Sequence, residues 1–191
     1  MGQYDSAAYC YTVALKTSDG REQSTYRDLI TIYLATEQYA KAESVLVSGT
    51  FQIPDSYFLR YLLGVTYGFL NNATKSKPTF EMGLHQLLMQ EKKEGVSALM
   101  FADEGLFYAR LNERIQAINA IDRALAEDST NDEVMIKVVA TCLLVGDKKK
   151  AKSFFEKARA LNVDYDLAYL KTAFDLRDVK DDPEFQQIAL Q

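Results

Sequence analysis

Four times along this chain a small residue is followed four positions later by a large apolar one, and three after that by another small one. The instances are Ala7/Tyr11/Ala14, Ala42/Leu46/Gly49, Ala117/Ile121/Ala124 and Ala151/Phe155/Ala158. Spacings of four and three place such residues on one face of a helix. Ala117 and Ala151 are 34 positions apart, and Ala7 and Ala42 are 35 apart. A fixed period near that length is the mark of stacked helix pairs, each covering its neighbour's apolar face. Such a stack presents a surface for binding rather than a reaction centre.

The composition allows this reading. The 191 residues are 48% hydrophobic and 26% charged, which is enough apolar material for a packed core and unlike a disordered tail. Three prolines and nine glycines are few, as long helices require. A net charge of −5 argues against a nucleic-acid partner, because phosphate binding needs a basic surface. The densest basic run, Lys148-Lys149-Lys150, sits beside Asp147 at a helix start and reads as solvated. Cys10 and Cys142 each stand alone in a helical pattern, without a Cys or His at metal spacing, and read as buried free thiols in a reducing compartment. No apolar stretch reaches the roughly 18 residues that span a bilayer, and no secretory signal opens the sequence. The expectation is a cytoplasmic protein without membrane contact.

The pattern assigns pairs. Residues 2–16 read as a second helix without its first, closed by Thr17-Ser18-Asp19-Gly20. A lone half-repeat exposes the face that its partner should cover, so the chain reads as a piece of a longer protein or as packing its first helix in an unusual way. Tyr26, Leu29, Ile30 and Tyr33 mark the first helix of the next pair, Thr36-Glu37-Gln38 the turn, and Tyr39, Ala42, Leu46 and Gly49 the second helix, with Pro54 at the repeat end. Leu63, Gly64 and Tyr67 open the third pair, and Asn71-Asn72 makes its turn. The segment from Ala73 to Gly95 departs from the template. Ala42 to Ala117 spans 75 positions, two periods plus about seven extra residues. A longer loop through Lys75 and Ser76 is expected, then a long helix with Pro78 near its first turn and Phe80, Leu84, Leu87 and Leu88 as its buried stripe. The fourth pair carries Phe101, Gly105 and Tyr108, then Ala117, Ile121 and Ala124. The fifth carries Met135, Val138, Val139 and Cys142, then Gly146-Asp147, Ala151, Phe155 and Ala158. A helix over 167–176 follows, with Ala168, Leu170, Ala173 and Phe174 apolar. Asp182 as N-cap and Pro183 in the first turn start a short final helix.

These residues resemble the tetratricopeptide repeat family, which places a small residue at the close contact of each helix pair and an aromatic late in the first helix. The matching residues are Leu63-Gly64 with Tyr67, Gly105 with Tyr108, Ala117 with Ala124, Gly146 with Ala151 and Ala158, and Pro54 at a repeat end. The resemblance covers nearly all of residues 2–165. It implies an all-α fold, a right-handed α-solenoid of antiparallel helix pairs with a C-terminal capping helix. As one solenoid over 1–191, the expected parts are a half repeat at 2–20, repeats near 23–56, 57–97 (with the insert), 98–131 and 132–165, and a cap at 166–191. The resemblance also implies a concave surface, built mainly from first helices, that holds a partner peptide or helix. Projected here, its candidates are Arg27, Thr31, Phe58, Tyr61, Leu62, Val65, Phe69, Ala102, Leu106 and Lys137, an apolar and aromatic set suited to a helix or an extended hydrophobic peptide. The competing expectation is that the long insert buries Phe58, Tyr61 and Phe69. A variety of the family that grips a chaperone's C-terminal carboxylate is not matched, because Thr31 and Leu62 stand where it has Asn, and Leu99 and Asp103 where it has Lys and Arg.

No catalytic set is legible. His85, the one histidine, lacks an orienting partner for acid–base work. Asp103-Glu104 and Asp181-Asp182 are adjacent on helices or turns and point apart. There is no phosphate loop, metalloprotease motif, nucleophile elbow or dinucleotide fingerprint. The start Met1-Gly2-Gln3-Tyr4-Asp5-Ser6 matches a myristoylation pattern and Asn72-Ala73-Thr74 a glycosylation sequon, and both read as decoys. The expectations are therefore no enzyme, no cofactor, no metal, and a scaffold that binds a protein or peptide. The alternative is assembly of an oligomer through the N-terminal helix, with Tyr4, Ala7, Ala8 and Tyr11 as the exposed face.

Overall fold

The computed structural model describes residues 2–17 and 22–191, and every regular element among them is helical. Ser18, Asp19 and Gly20 of the expected first turn lie outside the described residues, as does Met1 of the myristoylation pattern. The chain forms two compact units, Met1–Gln86 and Leu87–Gln191, and α5 runs through the division.

The first unit holds α1 (Gly2–Thr17), α2 (Gln23–Ala35), α3 (Tyr39–Gln52), α4 (Tyr57–Phe69) and most of α5 (Ala73–Glu94). The second holds the last turns of α5, then α6 (Ala98–Arg110), α7 (Arg114–Glu127), α8 (Asp132–Leu144), α9 (Lys148–Leu161), α10 (Leu167–Thr172), a 3-10 helix (Phe174–Val179) and α11 (Pro183–Ala189). Neighbours in sequence pack as pairs, α2 with α3, α6 with α7 and α8 with α9. Second helices also touch the next first helix, as α1 does α2, α3 does α4 and α7 does α8.

The turn inside each pair repeats one geometry. Glu37, Asn71, Asn112 and Gly146 all adopt positive φ, at 58°, 54°, 63° and 81°. In each case the next residue's N–H returns to a carbonyl five positions back: Gln38 to Tyr33, Asn72 to Tyr67, Glu113 to Tyr108 and Asp147 to Cys142, each at 2.8 Å. This is the Schellman closure, which satisfies carbonyls left open at a helix end. Only the last site uses glycine, so the other three hold an L-residue in the left-handed region for the sake of the turn. Three first helices, α4, α6 and α8, begin on side-chain caps: Ser56 accepts from the Leu59 N–H, Ser97 from Met100 and Asn131 from Val134.

Small residues meet large ones where the paired helices approach. A methyl placed on Gly64 would lie 2.6 Å from the Phe80 ring, one on Gly105 2.8 Å from Ile121, and one on Gly49 2.8 Å from the Tyr26 ring. Ser76 adds a polar contact at such a point, donating to the Gly64 carbonyl at 2.9 Å. Ser76, Phe80 and Gly83 stand 34 positions after Ala42, Leu46 and Gly49, so the small–large–small spacing occurs a fifth time, in α5. The repeat is therefore in register through the start of α5.

Three expectations are corrected here. No long loop passes through Lys75 and Ser76, because α5 starts at Ala73 directly after the turn. The extra residues lengthen the helix instead: α5 has 22 residues where α3, α7 and α9 have 14. About seven residues make two helical turns, which leaves the face pattern nearly unrotated. Pro78 consequently lies inside α5. Its missing N–H falls opposite the Thr74 carbonyl on an exposed stretch, where water can serve that oxygen. The helix expected over 167–176 breaks at Ala173, whose ψ of 107° is extended, and continues as the 3-10 helix. Of the thiols, Cys142 is buried, which pushes its pKa up to about 11, but Cys10 is exposed.

Gly64 tests the close approach. Gly64→Ala is expected to lower unfolding free energy by about 1–3 kcal/mol through overpacking against Phe80. Gly68→Ala, on the same helix with nothing within 4 Å, should leave stability unchanged or raise it by up to about 1 kcal/mol through helix propensity. Urea unfolding of both variants measures the contrast.

Candidate functional site: the first-helix face

First helices are buried around most of their circumference. Residues 61–67 of α4 and 101–107 of α6 are buried without interruption. Second helices bury one stripe, such as Ala42, Leu46 and Gly49 on α3 or Ala151, Phe155 and Ala158 on α9. The sequences differ accordingly: α4 is apolar nearly all round, as a helix enclosed by neighbours must be.

This enclosure relocates half of the projected groove set. Tyr61, Leu62, Val65, Ala102 and Leu106 are core residues, with Leu62 at 1% and Ala102 at 0% exposure. Tyr61 lies against Phe80 with ring centroids 5.8 Å apart, so α5 does cover it. Phe69 is half-buried and stacks on Tyr39 of α3 at 5.1 Å. Phe58 and Thr31 are half-buried and Arg27 is exposed. Lys137 is half-buried and ion-paired. Of the N-terminal set, Ala8 is buried, Ala7 and Tyr11 are half-covered and Tyr4 is exposed. Tyr11 is tied to α2 by a hydrogen bond to Asp28, whose charge is the leading cause of its raised pKa. The most exposed apolar side chain of α1 is Tyr9, which the projection did not include.

In the second unit the side of α6 turned away from α7 is charged. Gly105 faces Ile121 and Ala117 of α7. Asp103 and Arg110, a whole number of turns apart, lie elsewhere on the helix. Asp103 accepts an ion pair from Lys137 of α8 at 2.8 Å, and Lys137 also meets Glu133 at 3.3 Å. Burial pushes the Lys137 pKa down, but Asp103 and Glu133 outweigh it and the net shift is upward. The next carboxylate, Glu104, points instead to α7, where Arg123 meets it at 3.0 Å and lies 3.8 Å over the Phe101 ring. The two adjacent acids serve different neighbours, as their helical spacing requires. Glu91, in the added turns of α5, has a raised pKa from burial first and then from Glu104, with Arg123 opposing.

The segment after α9 joins this face. Asn162 and Tyr165 donate to Asp132 at the start of α8, at 2.6 and 3.1 Å. Tyr165 and Tyr169 pack with centroids 4.7 Å apart. The Tyr169 pKa is raised by burial and then by Asp175, Glu133 and Asp132. Asp175 of the 3-10 helix meets Arg110 at the end of α6 at 2.6 Å. The site is thus a strip of paired charges, Asp103, Arg110, Glu133, Lys137 and Asp175, edged by two tyrosines. The sequence projection found only Lys137. The signal in the sequence was a run of carboxylates on helices otherwise apolar, which buried pairing demands.

Nothing in this arrangement is set up for catalysis by His85, which is exposed on α5. Among the described residues no group of His, Cys, Asp and Glu is placed to hold a metal ion. No described helix is long and apolar enough to cross a membrane.

No family model and no curated protein matches the chain. Among solved structures it is similar to TTC0263, a thermophilic TPR protein of Thermus thermophilus, with a TM-score of 0.59 and 21% identity over 100% of this chain and 92% of that one. YrrB, a TPR protein with an unusual peptide-binding site, matches at 0.44 and 14%, over 95% and 89% of the two chains. MamA of AMB-1 matches at 0.45 and 18%, over 84% and 90%. At 0.59 the first likeness shows the fold: the chain is folded as tetratricopeptide repeats are.

Asp132 carries a pH prediction. The Asn162 hydrogen bond, with burial opposing and Tyr165 assisting, holds its pKa below the usual carboxylate value. A folded-state pKa below the unfolded one contributes stability above the carboxylate range, lost as pH falls through it. The stability gap between wild type and Asp132→Asn should therefore shrink as pH falls below about 5, through the ordinary aspartate value and on below it. Thermal melts across that range measure it, and a constant gap would show that the shift carries no stability.

Proposed function

We propose that this chain is a protein-interaction module that engages a partner segment along the accessible strip of its first helices. The observation that carries the reading is the placement of charge: Asp103, Glu133 and Lys137 sit on consecutive first helices that are otherwise core. Side chains costly to desolvate persist there although an apolar residue would pack more simply, as a surface built for recognition needs. The TPR fold, whose helix pairs form extended binding surfaces, supports the same reading. In the first unit the corresponding strip is Arg27, Thr31 and Phe58. The partner contacts accessible side chains, so Tyr61, Leu62, Val65, Ala102 and Leu106 act by shaping the helices beneath it.

Photo-cross-linking tests this. A benzophenone amino acid at Thr31 or Leu99, on first helices, is expected to capture a discrete protein partner. The same group at Ile115, exposed on the second helix α7, is not. Equal capture from Ile115, or capture there alone, would move the interface to the second helices.

A second reading, assembly through α1, is favoured by one comparison. The residues at the small–large–small positions are fully covered on α3, α7 and α9, yet Ala7, Tyr11 and Ala14 on α1 are only half-covered. A helix laid on that flank would bury them as their counterparts are buried. If a second copy supplies it, sedimentation should show self-association at high protein concentration that Ala7→Arg abolishes. A wild-type chain that stays monomeric throughout removes this reading.

A further inference from the structure

By the repeat spacing, a first helix should follow α6 and α8 near residue 166. Both of those helices have 13 residues. The element found there is different: α10 has six residues, the backbone breaks at Ala173, and a 3-10 helix of six residues follows. It also packs differently. α9 is covered by α11, through Phe155 and Phe185 at 5.5 Å, Lys152 and Glu184 at 3.2 Å, and the Lys148–Asp182 pair. The segment between them touches α11 through α10 and also reaches the charged strip. Its start is pinned to Asp132 of α8 by Tyr165, and its end passes beyond α8 to reach Arg110 of α6 through Asp175. The 3-10 helix rests on α8, and Leu170, Leu176 and Val179 of the segment are buried.

We propose that residues 165–179 are a built-in occupant of the first-helix face of the second unit, a strap that covers Arg110 and is displaced by a partner segment of like chemistry. That partner is a short segment with an aromatic and an aliphatic residue side by side, matching Tyr169 and Leu170, and a carboxylate about two helical turns later, matching Asp175. The proposal rests on the interaction reading above and names the partner for its second unit. Three features suit the segment to release. A six-residue helix has little stability of its own. The broken geometry at Ala173 interrupts its hydrogen bonding. The Arg110–Asp175 pair, with both side chains about one-fifth exposed, is open to competition by another carboxylate.

The strap can be tested without a natural partner. The probe is a fluorescent synthetic peptide of residues 165–180, added to the full chain. Binding to a face already occupied is reduced by the fraction of time the face is free. Wild type should therefore bind the peptide weakly. Asp175→Arg, which sets two cations against each other and frees the face, should bind it about tenfold or more tightly. Arg110→Asp should not bind it, since the peptide's own carboxylate is then repelled. The double variant Arg110→Asp with Asp175→Arg restores the pair with reversed charge, so it should bind the peptide no better than Arg110→Asp but hold residues 167–179 as protected from hydrogen exchange as in wild type. Equal binding by wild type and Asp175→Arg, or none by either, overturns the proposal. Hydrogen exchange on the wild-type chain covers the case in which Asp175→Arg fails to fold: amides of 167–179 should exchange well ahead of those in α9. Exchange only with global unfolding would make the segment an integral part of the stack. The peptide result leaves the cross-linking result at Thr31 and Leu99 independent, so the strap can fail while the interaction face stands.

Discussion

The close approach of two helices at a glycine is the constraint on which the other features depend. Where Gly64 meets Phe80 and Gly105 meets Ile121, there is no room for one more methyl group. The two helices of each of four pairs are joined by a short turn that closes with one residue in the left-handed backbone region. That residue recurs at Glu37, Asn71, Asn112 and Gly146. Three of the four are not glycine, so local backbone preference yields to the pair geometry. The crossing and the turn thus specify each other.

The same closeness governs the charges. A first helix pressed by its partner, and by the helices before and after it, has little surface left, and its polar groups must find partners inside the protein. Thr66 turns its hydroxyl onto the Leu62 carbonyl of its own helix, and Ser76 onto the carbonyl of Gly64. Asp103 and Glu104, at 9% and 5% exposure, take Lys137 and Arg123 from opposite neighbours. Breaking a buried pair leaves a lone charge, which costs about 3–5 kcal/mol, while an apolar replacement for both partners can be neutral. Pairs of this kind are therefore a poor device for stability alone. What they do contribute is to fix which helix stands beside which, since each charge is matched to a partner on one particular neighbour.

The fold was legible in the sequence because its signals are periodic and local. Ala42, Ala117 and Ala151 with their partners report helix faces without any knowledge of tertiary structure, and Asp182 before Pro183 reports a helix start that the structure has, with Asp182 accepting from Glu184 and Phe185. The start of α5 was misread because its members are Ser76, Phe80 and Gly83. The seven extra residues between Ala42 and Ala117 point to a loop there, although the crossing selects size and Ser76 fills the small position as well as Ala42 does. The accessible strip was not legible in the same way. Leu62, Val65 and Leu106 lie where a groove residue lies on a half-exposed helix, but these helices are enclosed, and a projection from register alone has no measure of enclosure. Arg110 and Asp175 are 65 positions apart, and no local pattern couples them.

Register and structure part company most clearly after α9. The numbers keep their beat: α6, α8 and α10 begin at 98, 132 and 167, and α7, α9 and α11 at 114, 148 and 183. The side chains do not. Where α6 has Gly105 to admit a close partner, the corresponding stretch of the later segment breaks at Ala173-Phe174. Where α7 and α9 place Ala117 and Ala151, α11 places Phe185. A ring at that position cannot enter a close crossing, and α11 touches α10 less extensively than the earlier second helices touch their first helices. It packs on Phe155 of α9. Between α9 and α11, α10 contacts α11 and the 3-10 helix, and the 3-10 helix contacts α8, while Leu170 and Leu176 are buried. The large residue at this crossing position and the break at Ala173 thus occur together, at the point where side-chain packing departs from the repeat while the numbering keeps its period.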